Sequence, residues 1–221
     1  MAATDDAPTG DAPTELKEAC VRAAHEFIAE HGVERLSLRE VARRLGVSHQ
    51  APYRHYPSRD HLLAEVLRRC FRHFAQTLDA RRHHEDPIAD LESLGRQYLA
   101  YAAAHPIEYR LMFATPWPQA AQHPELLHEA VHAFDVLRGV LRRLYGTSAR
   151  AQVDMQAMFV WSTVHGLAGL LQSDAMRDLN MAARTVGRVP RHVLEMLSTA
   201  LAASLGEAPT ARPGTPARRP A

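Results

Sequence analysis

Long apolar runs are missing from this sequence. None approaches the roughly 20 residues that span a bilayer, so no membrane-spanning helix is expected. The opening residues, MAATDDAPTGDAP, are acidic and carry no apolar stretch. No secretory signal is therefore expected, and a cytoplasmic location follows. Cysteine is scarce: Cys20 and Cys70 are the two present, and they lack the CxxC spacing of a redox pair. Each falls on the apolar face of a predicted helix, so buried free thiols are expected. There is no P-loop, no GxGxxG and no GxSxG, which removes the nucleotide and hydrolase chemistries those loops serve. No cofactor is implied. No internal repeat and no strand-like alternation are visible.

Of the 221 residues, 46% are apolar, enough for a sizeable core and too many for a disordered chain. The net charge of +1 decides little, but its distribution is uneven. Residues 1–34 hold eight acidic against two basic side chains, and residues 35–72 hold nine basic against three acidic. A basic stretch of this kind suits a polyanion, whereas a solvated helical surface would look the same.

The chain reads as all-α, with about nine helices expected at 14–31, 38–45, 48–56, 59–81, 87–104, 106–114, 123–145, 149–173 and 188–205. Gly32 and Gly46 are natural stops, and Pro106, Pro116, Pro118, Gly146 and Pro190 punctuate the later helices. Residues 1–13 and 206–221 are low-complexity and expected to be disordered tails. Residues 14–60 are expected to form an N-terminal three-helix domain. Residues 61–205 are expected to form a second helical domain.

The segment SLREVARRLGVSHQAPYRHY carries the clearest chemistry. Leu38, Val41, Ala42 and Leu45 give a short helix one packing face. Ser37 caps it, with Glu40 three residues on in a capping-box pattern. Gly46 can take the positive φ of a tight turn, and Ser48 caps a second short helix. Pro52 sits in the first turn of that helix, where a missing N–H is tolerated, and its ring can pack inward with Tyr56. This is a helix-turn-helix. It leaves Ser48, His49, Gln50, Ala51, Tyr53, Arg54 and His55 to meet double-stranded DNA, with Gln50 and Arg54 suited to base edges. Ser37, Arg39, Tyr53, His55 and Arg59 suit the phosphate backbone.

From Leu16 to Leu67 the chain resembles the DNA-binding domain of the TetR family. The matching run is HGVERLSLREVARRLGVSHQAPYRHYPSRDHLL, with Pro52 where leucine is frequent and Tyr56 where phenylalanine is frequent. Trp161, His165 and Gly166 resemble the Trp-His-Gly signature of one C-terminal subgroup, as does HPIEYRLMF (105–113). The resemblance implies a homodimeric transcriptional repressor, released from a near-palindromic operator by an unidentified small molecule. It also implies a four-helix dimer interface built from the helix at 149–173 and the last helix, through Gly166, Gly169, Leu170, Val193, Leu197 and Leu201. An intrachain core is the other reading of those residues. Asp154, Met158, Trp161 and His165 share one helical stripe, polar groups among apolar ones, as in a ligand pocket. Met112, Phe113, Trp117, Phe134 and Leu137 could complete it. A core tryptophan beside a hydrogen-bonded histidine is the competing reading.

Residues 128–132 read HEAVH and match the zincin pattern HExxH, which raises the alternative of a zinc-dependent hydrolase using His128, Glu129 and His132. Leu127, Ala130, Val131, Phe134, Leu137 and Leu141 define this helix's apolar face. At 100° per residue both histidines point almost opposite to it, toward solvent. No metal ligand is therefore assigned and no enzyme is expected.

Overall fold

Capping serines and glycine stops set the ends of the first helices where local chemistry places them. In the computed structural model, residues 12–206 are described. Ten α-helices run along them: α1 (Ala12–His31), α2 (Leu38–Leu45), α3 (Arg59–Asp79), α4 (Pro87–Ala104), α5 (Pro106–Ala114), α6 (Pro124–Tyr145), α7 (Arg150–Gln172), α8 (Ala175–Asp178), α9 (Ala183–Val186) and α10 (Val189–Gly206). Three 3-10 turns join them, at Val33–Arg35, Pro52–Arg54 and Ala120–Gln122. Among the described residues there is no strand, and no helix is long and apolar enough to cross a membrane. The expected tails lie outside the described residues, apart from Ala12 and Pro13 in α1 and Gly206 in α10.

Gly32 ends α1 at φ 83°, and Gly46 ends α2 at φ 66°, backbone that a Cβ would strain. The Val47 amide donates back to the Ala42 carbonyl. With the Gly46 amide bonded to Arg43, this closes a Schellman turn. The helix expected at 48–56 is not a regular α-helix. Pro52 has no N–H to return to Ser48, so the segment tightens into three-residue turns. Ala51 bonds to Ser48, Arg54 to Ala51 and His55 to Pro52. The short helices α8 and α9 carry too few apolar positions to show a period and were not expected from sequence.

The chain divides into two compact units, each discontinuous in sequence. The first is the chain up to Arg81 with Ala100–Val136, and the second is Arg82–Leu99 with the chain from Leu137 onward. The linear division expected at position 60 runs through the first unit, because α3 packs on both α1 and α5. Its core is Cys20, Ala24, Phe27 and Ile28 of α1, Leu38 and Val41 of α2, and Leu62, Leu63, Val66, Leu67, Cys70, Phe71 and Phe74 of α3. Both cysteines are free and buried, as the sequence implies.

The second unit buries Val153, Ala157, Val160, Val164 and Leu167 of α7 with Leu194, Leu197 and Leu201 of α10. Asp90, buried at the start of α4, is paired with Arg143 at 2.8 Å and accepts the His84 amide, so its charge is compensated. Gly95 of α4 sits so close to α10 that a Cβ there would lie 2.4 Å from Leu194 Cδ2. Leu194 can swing that methyl aside for alanine, which also favours helix by about 1 kcal/mol, so Gly95→Ala is expected to be near neutral. Gly95→Leu has no such room and is expected to cost about 1–3 kcal/mol. Chemical denaturation of the two variants checks the contrast.

Candidate nucleic-acid interface

The first unit's outer face is built from the α2 start and the turns at 48–55. Ser37 caps α2: its Oγ accepts the Glu40 amide at 3.2 Å. The expected reciprocal half of the capping box is absent. The Glu40 carboxylate is drawn instead to Arg43, which donates to it at 2.6 Å. Ser37 therefore keeps its hydroxyl proton for a further acceptor.

Pro52 and Tyr56 form the inward side of the 48–56 segment, and both are buried. The Tyr56 hydroxyl donates to the Lys17 carbonyl at 3.4 Å. Burial, with the nearby charge of Glu65, pushes this phenol well above its usual range, so it stays neutral. With that side anchored, Ser48, His49, Gln50, Tyr53 and Arg54 are exposed, and Ala51 and His55 are half-buried. Arg39, His49, Gln50 and Tyr53 line one open recess of about 500 Å³. The turns thus bring side chains from α2 and from the following segment together, as a helix-turn-helix requires.

The basic stretch is mostly neutralised from within. Arg44 makes two bonds to Glu30 at 2.6 and 2.7 Å, and Arg69 makes two to Glu18 at the same distances. Arg43 pairs with Glu40, Arg68 with Glu65, and Arg72 with Glu129. The acidic side chains of α1 thus answer the cations that follow it. Among the described residues, Arg35, Arg39 and Arg54 have no such partner, and all three are exposed. Arg35 was not singled out from sequence. Its only signal is a cation in the turn just before the Ser37 cap.

Arg59, expected at the phosphate backbone, is also held from within. Its Nε donates to the Leu36 carbonyl at 3.1 Å and an Nη to the Val33 carbonyl at 2.8 Å, with Asp60 alongside at 3.2 Å. It ties the 3-10 turn before α2 to the start of α3. Arg59→Ala is accordingly expected to lower stability by about 1–2 kcal/mol, since two charge-assisted bonds to backbone are lost at a half-exposed site. A thermal melt without DNA reads this, and an unchanged melt would return Arg59 to phosphate contact alone.

The residues expected to line a ligand pocket fall in both units. Met112, Phe113, Trp117 and Phe134 belong to the first. There the Trp117 indole donates to the Met112 carbonyl at 2.9 Å, and the Phe113 and Trp117 rings pack edge-on against Phe71. Leu137, Met158, Trp161 and His165 belong to the second. His165 Nδ1 shares a hydrogen bond with the Tyr98 hydroxyl at 3.0 Å, and its ring lies 5.8 Å from that of Trp161. Burial lowers the His165 pKa, so the imidazole is neutral near pH 7. Asp154, on the same stripe, is paired with Arg138. Met158 faces outward and is exposed.

Of the residues expected at a dimer interface, Gly166, Gly169 and Leu170 are exposed and Val193 is half-buried. Leu197 and Leu201 are sealed inside their own unit and cannot reach a partner. The apolar stripes left open are Met155 (66% exposed), Phe159 (44%) and Leu170 (56%) on α7, with Met196 (57%) on α10. The three residues of α7 share a stripe with Gly166, at steps of one, two and one turns from Met155 to Leu170. Gly166 and Leu170 were singled out from sequence, whereas Met155 and Phe159 were not, because α7 is apolar on nearly every side.

The HEAVH segment does not assemble a zinc site. His128 and His132 are exposed, Glu129 is held by Arg72 at 2.8 Å, and His132 faces Asp79 at 3.2 Å. Among the described residues, no cluster of three ligand atoms includes either histidine.

Comparison with known proteins agrees with this geometry. A family model described as bacterial regulatory proteins, tetR family, matches residues 21–66. One described as tetracyclin repressor-like, C-terminal domain, matches residues 91–197. The HTH-type transcriptional regulator Rv1816 of Mycobacterium tuberculosis is 32% identical over 113 residues, covering 49% of this chain and 47% of that protein. The chain thus spans about half the length of the curated relatives it matches. Among solved structures, the regulatory protein SCO4313 superimposes with a TM-score of 0.70 at 24% identity, over 86% of this chain and 98% of that one. A transcriptional regulator from Rhodococcus sp. Rha1 gives a TM-score of 0.60 at 26% identity, over 86% and 96%. With both models matched in order along an all-helical chain, the protein belongs to the TetR family of bacterial regulatory proteins.

Proposed function

We propose that the chain is a sequence-specific DNA-binding transcriptional regulator that acts as a homodimer on a near-palindromic site. The observation that carries this reading is the two-sided segment at 48–56. Pro52 and Tyr56 anchor it from below, while Ser48, His49, Gln50, Tyr53 and Arg54 stand clear above. Gln50 and Arg54 read base edges, and Arg35, Arg39, Ser37 and Tyr53 hold the phosphates. One such segment reaches too few bases for a genome. A two-fold dimer places two of them about 34 Å apart, in successive major grooves. The exposed stripe of Met155, Phe159, Gly166 and Leu170 with Met196 supports α7 and α10 as the dimer face.

A repressor released by a small molecule is the regulatory mode we infer, with the effector taken by the C-terminal region around Tyr98, Trp161 and His165. Trp161, His165 and Gly166 support membership of the Trp-His-Gly subgroup. Such a ligand acts only through different affinities for two conformations. A preference of about 100-fold shifts the equilibrium by about 2.7 kcal/mol.

Selection of bound fragments from genomic DNA tests the reading. Enrichment of one motif with two-fold symmetry is expected, with affinity falling steeply as salt rises. Recovery of fragments without a shared motif would overturn it.

A further inference from the structure

A second cluster of side chains in the first unit takes no part in the face described above. His25 lies on α1 and His73 on α3, while His105 precedes α5 and Glu108 stands in its first turn. His73 Nδ1 is 3.0 Å from Glu108 Oε2, and His105 Nδ1 is 3.8 Å from Glu108 Oε1. One ligand atom from each of these three lies within 4.8 Å of the others. His25 Nε2 approaches Glu108 Oε1 at 4.0 Å from the side of α1. That nitrogen is shielded from solvent and has no hydrogen-bond partner among the described residues.

We propose that His73, His105 and Glu108, with His25 as fourth ligand, form a binding site for a divalent transition metal of the zinc class. A tetrahedral zinc with bonds of about 2.0–2.1 Å holds its ligand atoms roughly 3.3 Å apart. The separations from the Glu108 oxygens, 3.0, 3.8 and 4.0 Å, bracket that value, so small side-chain shifts complete the site. Three imidazoles and one carboxylate are a borderline ligand set that suits zinc better than calcium or magnesium. The supporting shell is also present. Buried Tyr101 donates its hydroxyl to Glu108 Oε2 and fixes the carboxylate. An open cleft of about 320 Å³ beside His25, His73 and Glu108 provides a path in. Cys70 lines the same cleft but is not a ligand. The ligand atoms that lie within 4.8 Å of one another do not include its sulfur.

The ligands come from three helices, α1, α3 and α5, so the ion would cross-link them. A simple hydrogen-bonded network joining α5 to α3 is the competing account of the same contacts. Tag-free protein, titrated with zinc against a chromogenic chelator, separates the two. One equivalent bound at micromolar affinity or better is expected, with Tm raised by about 5–10 °C at saturating metal. His73→Ala and His105→Ala are each expected to weaken that binding at least 100-fold. His128→Ala and His132→Ala should leave it unchanged. Absence of stoichiometric zinc, or loss of it in the His128 variant alone, overturns the proposal. Should the cluster variants fail to fold, cobalt bound to the unaltered protein decides. Absorption typical of four-coordinate nitrogen and oxygen ligation supports the site. Octahedral spectra or thiolate charge-transfer bands overturn it.

Discussion

Alanine at Gln50 or Arg54 is expected to reduce the ratio of specific to non-specific DNA affinity by roughly 5–150-fold at each position. Both side chains are exposed on a turn whose inner face is locked by Pro52 and Tyr56. Their removal therefore leaves the segment in place and deletes only what it presents. Glutamine can pair with both edge atoms of adenine, and arginine with both acceptors of guanine. Each such pair discriminates by about 1–3 kcal/mol. Arg39→Ala makes the informative contrast. Arg39 has no partner to release and lies beside Gln50 and Tyr53 in the same recess. Its loss should weaken binding to every sequence alike and flatten the salt dependence by about one unit of log–log slope. Fluorescence anisotropy on the selected motif and on a scrambled duplex, at several salt concentrations, reads all three. Equal loss on both duplexes for Gln50 and Arg54 variants would mean that this segment positions the protein without reading bases.

Phe159→Asp is expected to convert the proposed dimer to a monomer at micromolar concentration and to weaken operator binding by at least 100-fold. Phe159 lies at the middle of the exposed α7 stripe, with Met155 and Leu170 on either side and Met196 exposed on α10, which packs on α7. In a two-fold interface each substitution counts twice, because the same patch faces itself. Burying an unpaired carboxylate costs several kcal/mol per copy, more than this apolar surface returns. The monomer should keep its fold, since Phe159 is not part of the second unit's core. Sedimentation velocity reads the mass and circular dichroism reads the fold. Leu197→Ala behaves differently. It should leave the mass alone while lowering stability by about 2–5 kcal/mol, because that side chain is buried within its own unit. A Phe159→Asp protein that remained dimeric would move the interface to another face.

Local chemistry made much of the fold readable. The bounds of α2, α4 and α5 agree with the periodicity to the residue, because Ser37, Gly46 and the prolines act on their immediate neighbours. The 48–56 segment was readable as capped, short and two-sided. Its tightening into three-residue turns follows from one missing amide, that of Pro52, whose effect on helix type depends on what the preceding carbonyls can reach. Among the candidate site residues, exposure followed the helical period for Gln50, Tyr53 and Arg54. For Leu197 and Leu201 the period left an intrachain core and a dimer face both open, since it marks an apolar face without saying whether the same chain or a partner covers it; both are buried in their own unit.

By itself, then, the sequence determined the all-helical class, the Ser37 cap, the glycine turns and the family, all properties of neighbouring residues or of a contiguous motif. Only the tertiary structure decided which arginines α1 neutralises and that Arg59 clamps two carbonyls. It also brought His73 to Glu108 across a separation of 35 positions. Those outcomes depend on distances between helices far apart in the chain, and hydrogen bonds and ion pairs act only over a few ångströms.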